Sequence, residues 1–362
     1  MVLVAVATDG FDTPAGSETG GTHAGPVAVD DMYPALRIAA ILAVACLPAA
    51  ATAAVSAGSV PVQSLPHASQ RSTAPSADGL SLVANLDYSN GTFQSWSVAR
   101  RQATLLGSFR IGRRADVAVN GVSLDASGLL YTGIDSTNGK PCAACFEVLK
   151  SDGTVVAKVP APALGGSQSA HVDDLALDAS GKVYIADTGQ VAAYFYTPTA
   201  SGFSGPTLIE TGANPASIAV SPNGQLVFIQ GNCGFGEARV YTLGASGTYQ
   251  PGNCFGIGTV ALIGGSADDA GDVATPVDGA IGLVSISNPN GQGMAFSLPG
   301  RLTSVGGVAF SPDASLLYVA DATRERVYAY ARPSGGWVSG ATPAIAGRAA
   351  GFKQLNIIAV PE

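Results

Sequence analysis

A short hairpin motif occurs four times along this 362-residue chain and limits its fold more than any other feature. It reads Gly121-Val-Ser-Leu-Asp-Ala-Ser-Gly128-Leu-Leu-Tyr, Asp174-Leu-Ala-Leu-Asp-Ala-Ser-Gly181-Lys-Val-Tyr-Ile-Ala-Asp187, Ser217-Ile-Ala-Val-Ser-Pro-Asn-Gly224-Gln-Leu-Val-Phe-Ile and Gly307-Val-Ala-Phe-Ser-Pro-Asp-Ala-Ser-Leu-Leu-Tyr-Val-Ala-Asp321. Each copy is an apolar strand, a tight turn and a second apolar strand. Pro sets its own φ at about −65° and Gly tolerates positive φ, which is hairpin chemistry. The corresponding residues Asp125, Asp178, Ser221 and Ser311 stand 53, 43 and 90 residues apart, so the last gap holds two periods. A repeat of about 40–50 residues built on hairpins is the spacing of β-propeller blades.

A blade lacking the motif is therefore expected between Gly265 and Gly300, with outer strands at 280–287 and 293–298. At the chain end, Leu355-Asn-Ile-Ile-Ala-Val-Pro361 repeats only the first strand. Its partners are expected far upstream, where 82–88, the turn Ser89-Asn-Gly-Thr92, 93–98 and 104–109 supply three strands with no inner strand before them. The expected fold is all-β: a six-bladed β-propeller of four-stranded antiparallel blades over residues 80–362, its first blade closed by the C-terminal strand. Closure removes the exposed edges that an open array would present. A charged fraction of only 12%, with 46 Gly, fits short strands and tight turns better than a charge-coated helical protein.

Ahead of the repeats, Met32, the basic Arg37, the apolar run from Ile38 to Ala51 and a small-x-small site at Ala51-Thr-Ala53 or Val55-Ser-Ala57 read as a signal peptide over 32–57. The apolar run is too short to span a bilayer. Residues 1–31 are acidic and Gly-rich, unlike a signal peptide's start, so translation is expected to begin at Met32 rather than Met1 and 1–31 to be a mis-assigned upstream segment. Cys46 is not expected to carry a lipid, because Leu42 lies one place too far upstream and the apolar run continues past the cysteine. Residues 58–79, rich in Ser, Pro and Ala, read as a flexible linker. These features predict a secreted or periplasmic monomer with no transmembrane segment in the mature chain. The formal net charge of −8 gives no reason to expect nucleic acid as a partner.

Export places the four remaining cysteines in an oxidising compartment. Proximity predicts Cys142–Cys145 and Cys233–Cys254 disulfides, and the absence of a predicted helix at Cys142 speaks against thiol redox chemistry. Of three histidines, His23 precedes the signal, His67 lies in the linker and only His171 falls among the blades, which excludes a multi-histidine metal site. His171, beside Asp173 and Asp174, reads as a rim histidine bonded to a neighbouring acid. Aligned in register, the residues just before the inner strands are Asn356, Asn120, Asp173, Ala216 and Gly306 in ring order. The oxygens of the first three either surround one channel mouth, suiting Ca²⁺ or a hydroxylated ligand, or make local turn bonds. Asp268, Asp269 and Asp272 read as a solvated Gly-rich loop without calcium-loop spacing, and Arg100, Arg101, Arg110, Arg113 and Arg114 as a solvated outer edge.

Asn120-Gly-Val-Ser-Leu-Asp-Ala-Ser-Gly, Asp173-Asp-Leu-Ala-Leu-Asp-Ala-Ser-Gly-Lys-Val-Tyr-Ile-Ala and Gly307-Val-Ala-Phe-Ser-Pro-Asp with Leu317-Tyr-Val-Ala-Asp-Ala-Thr-Arg-Glu-Arg-Val-Tyr-Ala-Tyr resemble the gluconolactonase/regucalcin (senescence-marker) family and the related NHL-repeat propellers. The resemblance implies a six-bladed ring. In the lactonases it also implies one divalent cation held by Glu, Asn and Asp, with the Asp as the base for lactone hydrolysis. Carried over, Asn120 and Asp173 would be metal ligands and Asp173 the catalytic base. Two positions depart from the pattern: Asn356 stands where a Glu is expected, and Asp174 replaces the Gly after Asp173. Two functions follow as expectations. One is a non-catalytic module binding a small molecule or a protein at the channel face; the other is a Ca²⁺-dependent lactonase using Asn356, Asn120 and Asp173.

Overall fold

In a computed structural model of the chain, the residues described are 80–361, apart from 88–90, 112–116, 137–141, 165–168, 212–213, 232, 235, 258–263, 278–281 and 298–301. The upstream segment, the signal peptide with Cys46, the linker, Arg113 and Arg114 lie outside them. No helix among the described residues is long and apolar enough to cross a membrane.

The named elements are 24 strands in antiparallel meanders. β1 (Leu82–Asp87), β2 (Thr92–Ala99) and β3 (Gln102–Arg110) come first. Four four-stranded sheets follow. They are β4 (Val117–Leu124), β5 (Leu130–Ser136), β6 (Ala144–Leu149) and β7 (Val155–Pro160); β8 (Asp174–Leu177), β9 (Val183–Asp187), β10 (Ala192–Thr199) and β11 (Gly202–Thr211); β12 (Ser217–Val220), β13 (Leu226–Gln230), β14 (Glu237–Leu243) and β15 (Tyr249–Gly256); and β16 (Ser266–Ala267), β17 (Val273–Pro276), β18 (Leu283–Ser287) and β19 (Gly293–Ser297). β20 (Val305–Phe310), β21 (Leu316–Asp321), β22 (Arg326–Ala331) and β23 (Ala344–Ala350) form the last meander. β24 (Ile357–Ala359) then leaves it and pairs antiparallel with β1 at Ala84, Asn85 and Leu86. The resulting eight-stranded sheet runs β20-β21-β22-β23-β3-β2-β1-β24, and its halves meet in the single parallel pair Ala350↔Gln102. This is a propeller-like all-β fold in which the C-terminal strand pairs with the first.

The inner and middle strands are covered on both faces, which is why many of them read as continuous apolar runs, while outer strands such as β3 and β15 are largely exposed. All five residues of β9 are buried. Apolar clusters join neighbouring sheets around the whole circuit: Leu86 and Phe93 with Leu124, Phe146 with Tyr194, Tyr184 with Ile229, Phe228 with Val273, Ile286 with Val319, and Tyr318 with Trp96.

The repeated turn is held by its first residue. The Oδ1 atom of Asp125 accepts from the Ser127 and Leu129 amides at 2.9 Å and from the Ser127 hydroxyl at 2.7 Å. Asp178 does the same with Ser180 and Lys182. In the Ser-Pro copies the hydroxyl takes over, Ser221 Oγ accepting from Leu226 N and donating to Asn223 Oδ1. Asp268 corrects the solvated-loop expectation: it is buried, and its Oδ1 accepts from the Ala270 and Asp272 amides at 2.9 Å. Ser-Ala-Asp268-Asp-Ala-Gly271-Asp is thus a further copy of the motif, dividing the 90-residue gap into 47 and 43. Arg100, Arg101 and Arg110 are exposed, as expected. Both expected disulfides are present: Cys142–Cys145 ties the start of β6, and Cys233–Cys254 links the end of β13 to β15.

Where β24 meets β1, the fully buried Asn85 clasps the chain ends together. Its Oδ1 accepts from Asn356 N at 2.6 Å, and its Nδ2 donates to Gln354 O at 2.9 Å and Gln94 Oε1 at 3.0 Å. Removing it strands buried polar groups, each costing about 1–3 kcal/mol. Deletion of residues 355–362 should therefore abolish the cooperative melt, and Asn85→Ala should destabilise the chain by about 3 kcal/mol in denaturant titration. A truncated chain melting within a degree or two of the parent would exclude strand closure as the source of stability.

Candidate functional site

Inner strands begin, and second strands end, on one side of the ring. Asn120, in a bulged part of β4, donates from Nδ2 to Val172 O at 2.8 Å, so it lies against the residue preceding Asp173. Asp173 accepts from the Thr188 amide at 2.6 Å through Oδ2. Burial pushes its carboxyl above the usual range, while the Thr188 bonds and His171 pull it down. Asn356 is held through its amide by Asn85, and its Oδ1 lies where a Cβ on Gly306 would come within 2.7 Å. The structure thus brings Asn120 beside the Val172–Asp173 segment and Asn356 against Gly306. All three are half-buried. Amide and carboxylate oxygens are the donor chemistry Ca²⁺ takes. Among the described residues, no group of three or more His, Cys, Asp and Glu is arranged to hold a metal.

His171 bonds an acid of the adjacent sheet, not one of its sequence neighbours. Its Nδ1 lies 2.5 Å from Asp135 Oδ2, at the end of β5. Its amide donates to Asp187 Oδ1 at 3.0 Å, and the buried Tyr194 hydroxyl donates to Asp187 Oδ2 at 3.0 Å. Burial raises both Asp187 and Tyr194. The repeat separates scaffold from special features here. Asp321, the counterpart of Asp187, likewise accepts from the incoming loop at Thr303 N and from its own turn at Arg324 N. Asp187 is therefore a loop anchor, whereas Asp135 bonds a side chain in the entry segment of the adjacent sheet.

Asp174 lines the narrow central channel, about 60 Å³, together with inner-strand residues including Gly121, Ile218, Ser266, Val308 and Ile357. The Asp174 carboxylate accepts from Leu175 N at 2.9 Å and, in the next sheet, from Ile218 N at 3.1 Å. Burial raises it to about 7 against the pull of these two bonds. Gly121, at φ +72°, makes room for it, since a Cβ there would sit 2.5 Å from Asp174 Oδ1. Asp174 thus places a bridging carboxylate between inner strands.

Sequence reasoning missed Asp135 and the Asp174 bridge, although an Asp closing a second strand was visible in Ala-Asp187 and Ala-Asp321. The acidic loop at 268–272 also gains an unforeseen partner. Arg332 places Nη1 at 3.8 Å from Asp268 Oδ2 and Nη2 at 3.7 Å from Asp272 Oδ2, taking the place a cation would have.

No family model matches the chain, and no curated protein matches it. Among solved structures, the periplasmic gluconolactonase PpgL of Pseudomonas aeruginosa is 16% identical, covering 74% of this chain and 80% of that one, with a TM-score of 0.44. A nidogen/laminin complex aligns at 14% identity over 78% and 99%, TM-score 0.47. A protein of unknown function from Bacteroides caccae aligns at 12% over 78% and 100%, TM-score 0.52. The circuit of four-stranded antiparallel sheets defines the class as a propeller-like all-β fold, and at such identity this last likeness brings a shared fold and no activity.

Asp174→Ala should cost about 2–4 kcal/mol in chemical denaturation, because two buried amides lose their acceptor. Burial also holds Asp268 and Asp272 above the ordinary carboxylate range, with Arg332 opposing that rise. A carboxyl raised by folding gives stability that is full below its unfolded value and lost as pH rises through the folded one. Arg332→Met raises both groups further, so its destabilisation should be larger at pH 8 than at pH 5 when the two melting curves are compared with wild type. Equal losses at both pH values would rule out the charge pairing.

Proposed function

We propose that the chain is an exported propeller of six blades that binds a small molecule or a protein at the face bearing Asn120, Asp173 and Asn356, without catalysis. The blade count takes the two halves of the eight-stranded sheet, joined by one residue pair, as separate blades. Two disulfides are consistent with an oxidising compartment. The observation that carries the non-catalytic reading is the donor set of this face: it offers one carboxylate, Asp173, whose Oδ2 already accepts from the Thr188 amide. With Asn356 in place of Glu, the three-residue set holds one carboxylate, which favours weak Ca²⁺ binding over a strongly polarising centre.

A second reading, a Ca²⁺-dependent lactonase, draws on one specific contact: Asn120 reaches the residue next to Asp173, as two ligands of one ion would. Assay of the purified protein against a panel of sugar lactones, with and without Ca²⁺, decides between the two. The first reading expects no turnover above background, with Ca²⁺ binding that is weak in calorimetry, lost in Asp173→Ala and strengthened in Asn356→Glu. Turnover that disappears in Asp173→Ala would establish the lactonase. Absence of Ca²⁺ binding even in Asn356→Glu would remove the ion from both readings and leave a metal-free binding face.

A further inference from the structure

Far from that face, beside the Asp125–Gly128 turn, a cavity of about 230 Å³ lies between the β1–β3 meander and the β4–β7 sheet. Its walls include Leu82, Leu106, Leu124 and Leu129, with Ser95 inside and Lys150 at the rim. Beside the cavity the two sheets approach each other backbone to backbone. Gly107 packs so closely on Ser151 that a Cβ would come within 2.0 Å of its carbonyl oxygen. The β2–β3 register slips at this point, pairing Ser95 with Gly107 and Trp96 with Leu105, which leaves Leu106 without a cross-strand partner and half exposed.

Ser95 gives the cavity chemical direction. It stands two residues after Phe93, which packs with Leu124 and Leu130 of the facing sheet, so its side chain points to that same face and into the cavity. Trp96 points the other way, against Phe352. Ser95 is only 6% exposed, yet its hydroxyl has no hydrogen-bond partner. An orphaned buried hydroxyl is costly, and a ligand acceptor oxygen would relieve that cost. The remaining polar groups do not call for a charged ligand. Lys150 is exposed, its charge is balanced by Asp152, and the Asp152 carboxylate is engaged with Thr154 N at 2.9 Å.

We propose that this cavity is a binding site for a small, neutral aromatic compound carrying one oxygen, with the ring among the four leucines and the oxygen on the Ser95 hydroxyl. Size supports a single ring. The volume exceeds the roughly 150 Å³ that accommodates benzene and falls below the roughly 300 Å³ where drug-sized pockets begin.

Calorimetry of the full chain with phenol and toluene tests the assignment. Wild type should bind both in the millimolar range or better, with phenol preferred. Ser95→Ala should weaken phenol about five- to tenfold and leave toluene unchanged. Leu106→Trp, a change at a half-exposed position that fills the cavity, should abolish binding of both. Circular dichroism and melting of each variant confirm that the fold is retained; should Ser95→Ala unfold, Ser95→Thr serves, and its added methyl should weaken both ligands alike. The proposal is overturned if wild type binds neither compound, if Ser95→Ala binds phenol as wild type does, if Leu106→Trp still binds, or if a crystal soaked with phenol shows only ordered water on Ser95.

Discussion

The joining of β24 to β1 is the contact on which the rest of the molecule depends. A linear array of sheets would expose an apolar face at each end, and no local propensity would bring those ends together. Three residues of β24 and the buried Asn85 clasp accomplish it, across a separation of about 270 residues. The Asn side chain suits the task because it offers an acceptor and two donors in one plane, and all three are used. Once the ends are joined, every sheet is sandwiched between two others, and the apolar clusters run continuously around the axis.

That double-sided burial explains why so few positions are charged and why the buried carboxylates matter. Asp125, Asp178 and Asp268 each end an inner strand and satisfy the amides of the turn that follows. Asp187 and Asp321 do the corresponding work on the opposite side, for incoming loops. Their charge is compensated by N–H and O–H donors, the chemistry by which a buried carboxylate remains tolerable. Asp174 is the exception among them: it satisfies an amide of the next inner strand, so it braces the channel wall.

The turn chemistry was legible in the amino-acid sequence because Asp-Ala-Ser-Gly and Ser-Pro-Asn-Gly state their backbone requirements locally. The closing strand was legible too, since an inner strand without partners implies partners elsewhere. The copy at Asp268 escaped because its inner strand is only two residues long, leaving a cluster of three acids as the visible signal. The Asp135–His171 bond escaped for a different reason. It joins neighbouring sheets 36 residues apart, and the acids next to His171 in sequence were the nearer candidates. Propensity and periodicity carry no information about which side chains face each other across two sheets.

Internal repetition also separates scaffold from special features. A side chain whose bonds recur at equivalent positions, as for Asp187 and Asp321, is explained by the repeat. The Asn120 bond to Val172 and the Asp135–His171 pair gather where the β4–β7 sheet meets the β8–β11 sheet, and the Asp174 bridge runs on from β8 to β12 of the following sheet. These polar groups are oriented by neighbouring sheets and not by their own turns, so their geometry is set by how the sheets pack.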